Sequence, residues 1–97
     1  MSFRIGSNWN EENELRCLAI FKKLQAENFP YRKQLEYCRK IVSISNLDEG
    51  NLSAKVSNFK SVAGVNKPSH ASGNTVEIYK KYGHLSASEI EAMIAKI

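Results

Sequence analysis

The chain has 97 residues, a length that fits one small domain able to fold alone with modest stability. Hydrophobic residues make up 42% of the sequence and charged residues 25%, which is typical of folded proteins and argues against intrinsic disorder. The formal net charge of +4 favours an anionic partner such as nucleic acid, although many basic proteins bind none.

The sequence offers neither membrane-directed segments nor metal-binding patterns. No stretch approaches the roughly 20 apolar residues of a membrane span, and the first residues lack the apolar core of a signal peptide. We therefore expect a cytoplasmic protein without membrane contact. Cys17 and Cys38 fall at apolar positions of predicted helices, where buried free thiols are common. With His70 and His84 far apart in sequence, we predict no metal site and no cofactor.

Residue patterns suited to enzymatic catalysis are scarce. Glu11, Glu12 and Glu14 crowd one predicted helix start, where negative charge stabilises the helix dipole without any acid–base role. Neither cysteine has a histidine near it in sequence, and there is no glycine-rich phosphate loop. We predict that the chain is not an enzyme.

The first predicted helix runs from Asn10, a favourable N-cap, to about Ala26. Its apolar positions cover more than one stripe, so we expect it to be central to the fold or shared with a partner chain. Trp9 precedes the helix and is predicted to lie in the core and orient it. The tripeptide Asn28-Phe29-Pro30 then breaks the helix.

Two more helices complete the N-terminal two thirds of the chain. The second is predicted from Tyr31 to Ser43, because Pro30 suits a first helical turn. After a short turn, Asp48 is a suitable N-cap for a third helix that ends near residues 63–64, where Gly64 favours a helix end.

The remaining residues predict a loop and two short helices. Residues 65–73 are polar and rich in turn formers. Capping-box patterns at 74–77 and 86–89 predict one helix from Asn74 through Tyr82, stopped by Gly83, and a final helix after Ser86. No alternating strand pattern occurs, so the sequence predicts a single all-α domain, a small helical bundle of about five helices over residues 1–97 with an N-terminal arm at 1–9.

The third predicted helix has an unusual exposed face. Leu52, Val56, Phe59 and Ala63 recur at helical spacing and form its buried stripe. The opposite face carries small or amide side chains, one cation and no carboxylate: Ser53, Ser57, Asn58, Lys60 and Ser61. Because it combines hydrogen-bond donors with little bulk, this face suits a phosphate backbone and the floor of a DNA groove.

Three helices with a tight turn before the third outline a helix-turn-helix made of helices two and three. The segment from Trp9 to Leu15 resembles the Trp-Thr-x-Glu-Glu opening of Myb/SANT-like domains, with Asn10 in place of the Thr. The resemblance implies that Trp9 packs beneath the bundle and that the third helix contacts DNA. The later tryptophans of Myb repeats are absent, and Phe59 with aliphatic residues holds the corresponding interior.

A closer resemblance runs from Trp9 to about Tyr82. It is to the small helical domain at the N-terminus of some HNH-type restriction endonucleases and of other phage and mobile-element proteins. The segment from Leu52 to Phe59 is similar to the Val-x-x-Lys-Leu-x-Asn-Phe pattern of that family. The resemblance implies a DNA-targeting module. No HNH motif follows before Ile97, so the chain is either part of a longer protein with a further C-terminal domain or a complete small DNA-binding protein.

The candidate contacts on the third helix differ in how clearly they face outward. Ser53, Ser57 and Lys60 are the clearest. Lys55 lies at the flank of the buried stripe, where its ammonium either reaches a phosphate or is simply solvated. Asn58 either reads an adenine edge or hydrogen-bonds the following loop.

Two further groups of side chains are candidate phosphate contacts. They are Lys67, Ser69 and His70 in the loop after the third helix, and Arg32, Lys33, Arg39 and Lys40 on the second helix. The alternatives are a solvated connector for the loop and ordinary surface charges for the second helix.

These observations favour sequence-specific binding of double-stranded DNA through the third helix. The resemblance implies a role as a replication initiator, a regulator or a nuclease-targeting module of a phage or mobile element. The broad apolar surface of the first helix and the apolar final helix suggest a homodimer. The alternative function is a helical adaptor whose basic face meets an acidic protein.

Overall fold

In the computed structural model, which describes residues 8–66 and 72–96, the chain forms six α-helices and no β-strand. The helices are α1 (Glu11–Ala26), α2 (Lys33–Lys40), α3 (Val42–Ser45), α4 (Glu49–Val62), α5 (Gly73–Tyr82) and α6 (Ala87–Ile94). The all-α prediction is confirmed. The short α3 is the helix that the predicted set of about five did not include.

Helix α1 is the centre of the bundle and packs against α2, α4, α5 and α6. Its apolar side chains between Leu15 and Leu24 are at most 8% exposed. Seven of the 15 buried apolar residues in the described part of the chain lie on α1. Burial of one large apolar side chain stabilises a fold by about 1.5–3 kcal/mol, so this helix contributes a large share of the stability of the core. The expectation of a central first helix is confirmed, and its breadth is explained by neighbours within the same chain.

Side-chain caps begin three helices at the residues that the sequence predicts. Asn10 accepts a hydrogen bond from the backbone N–H of Asn13 at 2.8 Å, and Asp48 accepts one from Asn51 at 2.7 Å. Ser86 forms a reciprocal capping box with Glu89. These local bonds satisfy N–H groups that have no partner inside the helix.

The ends of α1 and α4 follow the same pattern. Asn28 and Gly64 adopt left-handed backbone conformations, with φ of 61° and 81°. The next residue in each case donates its N–H back to the helix, from Phe29 to the Leu24 carbonyl at 2.7 Å and from Val65 to the Lys60 carbonyl at 2.8 Å. Both helices therefore end in Schellman motifs, as their Asn and Gly residues favour.

The prediction of one helix from Tyr31 to Ser43 is wrong at both ends. Arg32 has φ of 69°, a left-handed conformation that no helix interior accepts, so α2 begins only at Lys33. At the other end Ile41 turns out of the helix, and its N–H bonds to Cys38 three residues back. The chain then forms the separate α3.

The prediction of a capping box at Asn74 is also wrong, because Ser72 caps α5. The Ser72 hydroxyl accepts a hydrogen bond from the backbone N–H of Thr75 at 3.2 Å, and the helix begins at Gly73. Gly73 therefore belongs to α5 and not to the polar loop, and Ser72 is the N-cap of the helix. The end of this helix at Gly83 is confirmed: a Cβ at Gly83 would lie 2.4 Å from the Tyr79 carbonyl oxygen.

Polar contacts at the start of α1 hold the turn that leads into α4. The buried Asn13 side chain donates to the carbonyl oxygens of Asn8 at 2.6 Å and Ser45 at 3.0 Å. Asn8 in turn donates from its side chain to the Asn46 carbonyl at 2.9 Å. The N-terminal segment and the turn between α3 and α4 are therefore joined through one amide.

A buried ion pair joins α1 to α4. The Lys55 ammonium lies 3.1 Å and 3.0 Å from the two Glu14 carboxylate oxygens, and it donates to the Thr75 hydroxyl on α5 at 2.8 Å. Glu14 and Thr75 are fully buried, and Lys55 is 9% exposed. The ammonium also lies 4.6 Å from the centre of the ring of Trp9, which is half-buried against the core. Three helices and the residue before α1 thus meet at one charged group.

Burial and pairing act in opposite directions on Glu14. Removal from water raises the pKa of its carboxyl above the ordinary value of 4.5, and the Lys55 charge and the hydrogen bonds from Lys55 and Thr75 oppose that rise. The net effect is a raised pKa, because the loss of hydration dominates. The pairing therefore matters chiefly because either charge would be costly to bury without the other.

Replacing one partner should cost more than replacing both. Glu14→Leu and Lys55→Met should each lower the free energy of unfolding by about 3 kcal/mol, because each leaves an uncompensated buried charge. The double variant should lose clearly less than the sum of the two. Urea unfolding of the four chains measures the coupling, and additive losses would show that the two side chains do not depend on each other.

The Lys55→Met variant should also acquire a specific pH dependence. Without the ammonium the pKa of Glu14 rises further, so the folded state binds a proton that the unfolded state releases above the ordinary pKa of 4.5. The stability of this variant should therefore be greatest in acid and fall as pH rises through the folded-state pKa. Urea unfolding at about pH 5 and about pH 8 tests this difference. The Glu14→Leu, Lys55→Met double variant is the control, since it has no carboxyl at this position.

Candidate nucleic-acid interface

The most exposed side of α4 is a ridge of small residues: Gly50, Ala54, Ser57 and Ser61, hereafter the α4 ridge. Gly50 and Ala54 are exposed, and the two serines are half-buried. The α4 sequence contains no Asp or Glu from Gly50 to Ser61. From Gly50 to Ser61 this slim helix surface has no carboxylate of its own, which suits the floor of a DNA major groove. At its N-terminal end the Asp48 carboxylate is close, because a Cβ at Gly50 would lie 3.4 Å from its Oδ1 atom.

Lys55 lies on the opposite side of α4 from this ridge. Both alternatives for its ammonium, a phosphate contact and a solvated charge, are wrong, because the ammonium is buried against Glu14 and Thr75. Since Lys55 belongs to the buried stripe, the exposed face is rotated from the predicted one and is centred on Ala54. Ala54 was not among the predicted contact residues. The inward position of Lys55 shows that Ala54 lies at the centre of the exposed face.

Ser53 and Ser57 lie where α4 meets α2. The side-chain amide of Gln34 donates to the hydroxyl oxygens of both serines and to the Ser53 carbonyl, at 3.0 Å in each case. Both serines are half-buried. Their oxygens thus accept bonds within the chain, and each hydroxyl keeps a proton to donate. Gln34 was not among the predicted site residues, and it holds the α2 side of the α4 ridge in place.

The remaining candidates on α4 lie on its two flanks. Lys60 is half-buried, with its ammonium 5.4 Å from the centre of the Phe29 ring, and burial lowers its pKa below the ordinary 10.5. Asn58 is half-buried on the other flank. Its two expected roles, base reading and bracing of the next loop, stay predictions. Lys67, Ser69 and His70 lie outside the described residues.

Helix α2 presents its cations on two different ridges. Arg32 and Arg39 line a groove between α2 and α4, whereas Lys33 pairs with Glu36 at 3.4 Å and does not line it. The Lys40 ammonium lies 5.5 Å from the Tyr37 ring centre, which Lys23 also approaches at 4.5 Å. The structure therefore brings Arg32 and Arg39 to the Ser53 side of α4 and leaves Lys33 on another surface.

The groove between α2 and α4 has a volume of about 570 Å³. Its lining residues are Tyr31, Arg32, Gln34, Leu35, Arg39 and Ser53. Arg39 is held by Glu49, the first residue of α4, through an Nε–Oε2 contact of 2.9 Å. The candidate interface is thus a continuous surface made of the α4 ridge and the arginine-lined groove beside it.

Comparison with protein-family models, with curated proteins and with solved structures finds no match for the chain. Within residues 8–66 and 72–96, no helix is both long and apolar enough to cross a membrane. The same residues contain no group of three or more His, Cys, Asp or Glu side chains placed to hold a metal ion. Cys17 and Cys38 are buried free thiols, as expected, and burial raises the pKa of both.

The backbone of Arg32 gives a prediction about the rim of the groove. A left-handed conformation costs a non-glycine residue about 1–2 kcal/mol, so Arg32→Gly should leave stability unchanged or raise it by up to about 1 kcal/mol. Glu36→Gly is the control and should lower stability by about 1 kcal/mol, because Glu36 is an exposed residue inside α2. Urea unfolding compares the two, and equal losses would contradict the strained conformation of Arg32.

Proposed function

We propose that the chain binds double-stranded DNA, with the α4 ridge in the major groove and the arginine side of α2 against the flanking phosphates. The observation that carries this proposal is the exposed, carboxylate-free surface of α4 from Gly50 to Ser61, bordered by Arg32 and Arg39. Small side chains permit close approach to base edges, and guanidinium groups bind phosphates well. In this proposal α2 and α4 act as the two helices of a helix-turn-helix, with α3 within the connection.

The charge pattern around the ridge supports positioning on a phosphate backbone. Arg32 lies at the start of α2 and Arg39 near its end, so the two cations are spread along the groove. The Glu49 carboxylate neutralises part of the Arg39 charge and orients the side chain. The role in a replication initiator, a regulator or a nuclease-targeting module of a phage or mobile element rests on the resemblance of the Trp9 to Tyr82 segment.

A homodimer stays a prediction, but the apolar surfaces of the first and last helices no longer support it. The apolar surface of α1 is covered within the chain, and on α6 Ile90 is buried while Met93 and Ile94 are half-buried. Two copies would have to meet through exposed apolar side chains such as Ile44 on α3, which is 58% exposed. Sedimentation at tens of micromolar distinguishes monomer from dimer.

The alternative function is a protein-interaction module. It is favoured by the exposed apolar side chains of Tyr31, Leu35 and Ile44, at 86%, 41% and 58% exposure, since such residues are common where proteins meet. A module of this kind would bind an acidic protein through the same side of α2. Such a module would not require small side chains on the α4 ridge, so a bulky charged substitution there distinguishes the two functions.

Ala54→Glu should abolish or greatly weaken duplex binding without unfolding the chain. The change places a carboxylate in the middle of the α4 ridge, where it meets the negative potential of the DNA groove, so affinity should fall by about tenfold or more. A duplex selected from a random library, labelled and followed by fluorescence anisotropy, measures the affinity.

Ala92→Glu is the matched control for this experiment. Ala92 is an exposed alanine on α6, so the substitution makes the same change in net charge and helix composition on a different element. Its affinity should stay within about twofold of the unsubstituted chain. Equal losses in the two variants would remove α4 from the interface, and failure of the random library to yield any bound duplex would refute the proposed function.

A further inference from the structure

The groove between α2 and α4 has a composition different from that of the α4 ridge. It combines an aromatic ring, an aliphatic side chain, two guanidinium groups, an amide and a hydroxyl: Tyr31, Leu35, Arg32, Arg39, Gln34 and Ser53. Its volume of about 570 Å³ falls in the range of pockets that hold small molecules or single groups of larger ligands. Phosphate contacts to a duplex do not require the aromatic ring.

Tyr31 is the least expected part of this groove. It is 86% exposed, the highest value among the exposed large apolar residues, and it lies in a turn where the Lys33 N–H donates to the Pro30 carbonyl oxygen at 3.3 Å. The Arg32 guanidinium lies 5.2 Å from its ring centre. Because Tyr31 remains 86% exposed beside the Arg32 guanidinium, its ring keeps an accessible face on which a planar group can stack.

The two arginines are separated along the groove. Arg32 precedes α2, and the helical rise from Lys33 to Arg39 alone is about 9 Å, so the two arginines lie near opposite ends of the helix. The Arg39 Nε is bound to Glu49, and this contact leaves the terminal nitrogens as the guanidinium edge that can donate to an anion. A ligand along the groove therefore meets cations at both ends and an aromatic ring beside one of them.

We propose that this groove binds an unpaired nucleotide of the nucleic acid held by α4, with the base stacked on Tyr31 and the adjoining phosphates on Arg32 and Arg39. Stacking on an exposed aromatic side chain combined with phosphate binding is how proteins recognise single-stranded nucleic acid. The groove opens beside the α4 ridge, because Ser53 contributes to its wall while Gln34 links Ser53 to Ser57. The inference rests on the proposed function and adds a preference for DNA with a local single-stranded extension.

Charge and shape favour this occupant over an acidic peptide or a second copy of the chain. An acidic peptide would use the arginines but has no need of a stacking face. A second copy has the same basic groove and would bring arginines towards arginines, which is unfavourable. A nucleotide is the ligand class that uses the ring and both cations together.

The test compares two forms of the selected duplex, one blunt and one with a short single-stranded extension of the same sequence. The native chain should bind the extended form at least about fivefold more tightly, because stacking of one base on an aromatic side chain changes affinity by that factor or more. Tyr31→Ala should reduce the ratio to about one, and Tyr31→Phe should retain it, because the ring is preserved. An extension of abasic nucleotides, which keeps the phosphates and lacks the bases, should show no such gain.

Each other outcome has a definite meaning. Equal affinity of the native chain for blunt and extended duplexes refutes the groove inference and leaves duplex binding standing. A gain that survives Tyr31→Ala, or that abasic nucleotides also produce, shows that charge alone is responsible and refutes stacking on Tyr31. Binding to neither form refutes the proposed function as well. A dimer that Tyr31→Ala dissociates in sedimentation would assign the groove to contact between two copies instead.

Discussion

The contact between Glu14 and Lys55 is the constraint on which the arrangement of α4 depends. Both charges are buried away from water, and inside the fold neither charge is stable without the other. The Thr75 hydroxyl accepts a hydrogen bond from the same ammonium and so joins α5 to the pair. A rotation of α4 about its axis would separate the ammonium from the carboxylate. The ion pair therefore determines which side of α4 faces the core, and by the same geometry it determines that Ala54 lies near the middle of the exposed side.

Two further polar contacts, one before α4 and one at its middle, fix the position of the candidate interface. The Asn13 amide ties the turn before α4 to α1, and the Gln34 amide ties the middle of α4 to α2. Neither contact belongs to the apolar core. Together they align an uncharged helix surface beside an arginine-lined groove, which is the geometry that the DNA-binding proposal uses. The scaffold of the site is thus built largely from side chains with internal hydrogen bonds.

Several parts of this structure were predictable because short-range rules govern them. The caps at Asn10, Asp48 and Ser86 need only a side-chain oxygen two or three residues before a free N–H. The start of α2 was not predictable in this way. Pro30 is compatible with a helical first turn, yet Arg32 takes a left-handed conformation two residues later, which the local residue pattern does not indicate. For the same reason the groove and the exposed Tyr31 had no signal in the residue pattern.

The sequence by itself determined the all-α class, the approximate bounds of α1 and α4 and the absence of acidic residues from α4 between Gly50 and Ser61. These properties depend on residues a few positions apart. The tertiary structure alone decided that Lys55 is buried and that Ala54 and not Ser53 leads the exposed ridge. A lysine at the edge of an apolar stripe is solvated unless a carboxylate meets it inside the fold. That carboxylate is Glu14, 41 residues away in sequence, so only the packing of α1 against α4 could bring the two charges together.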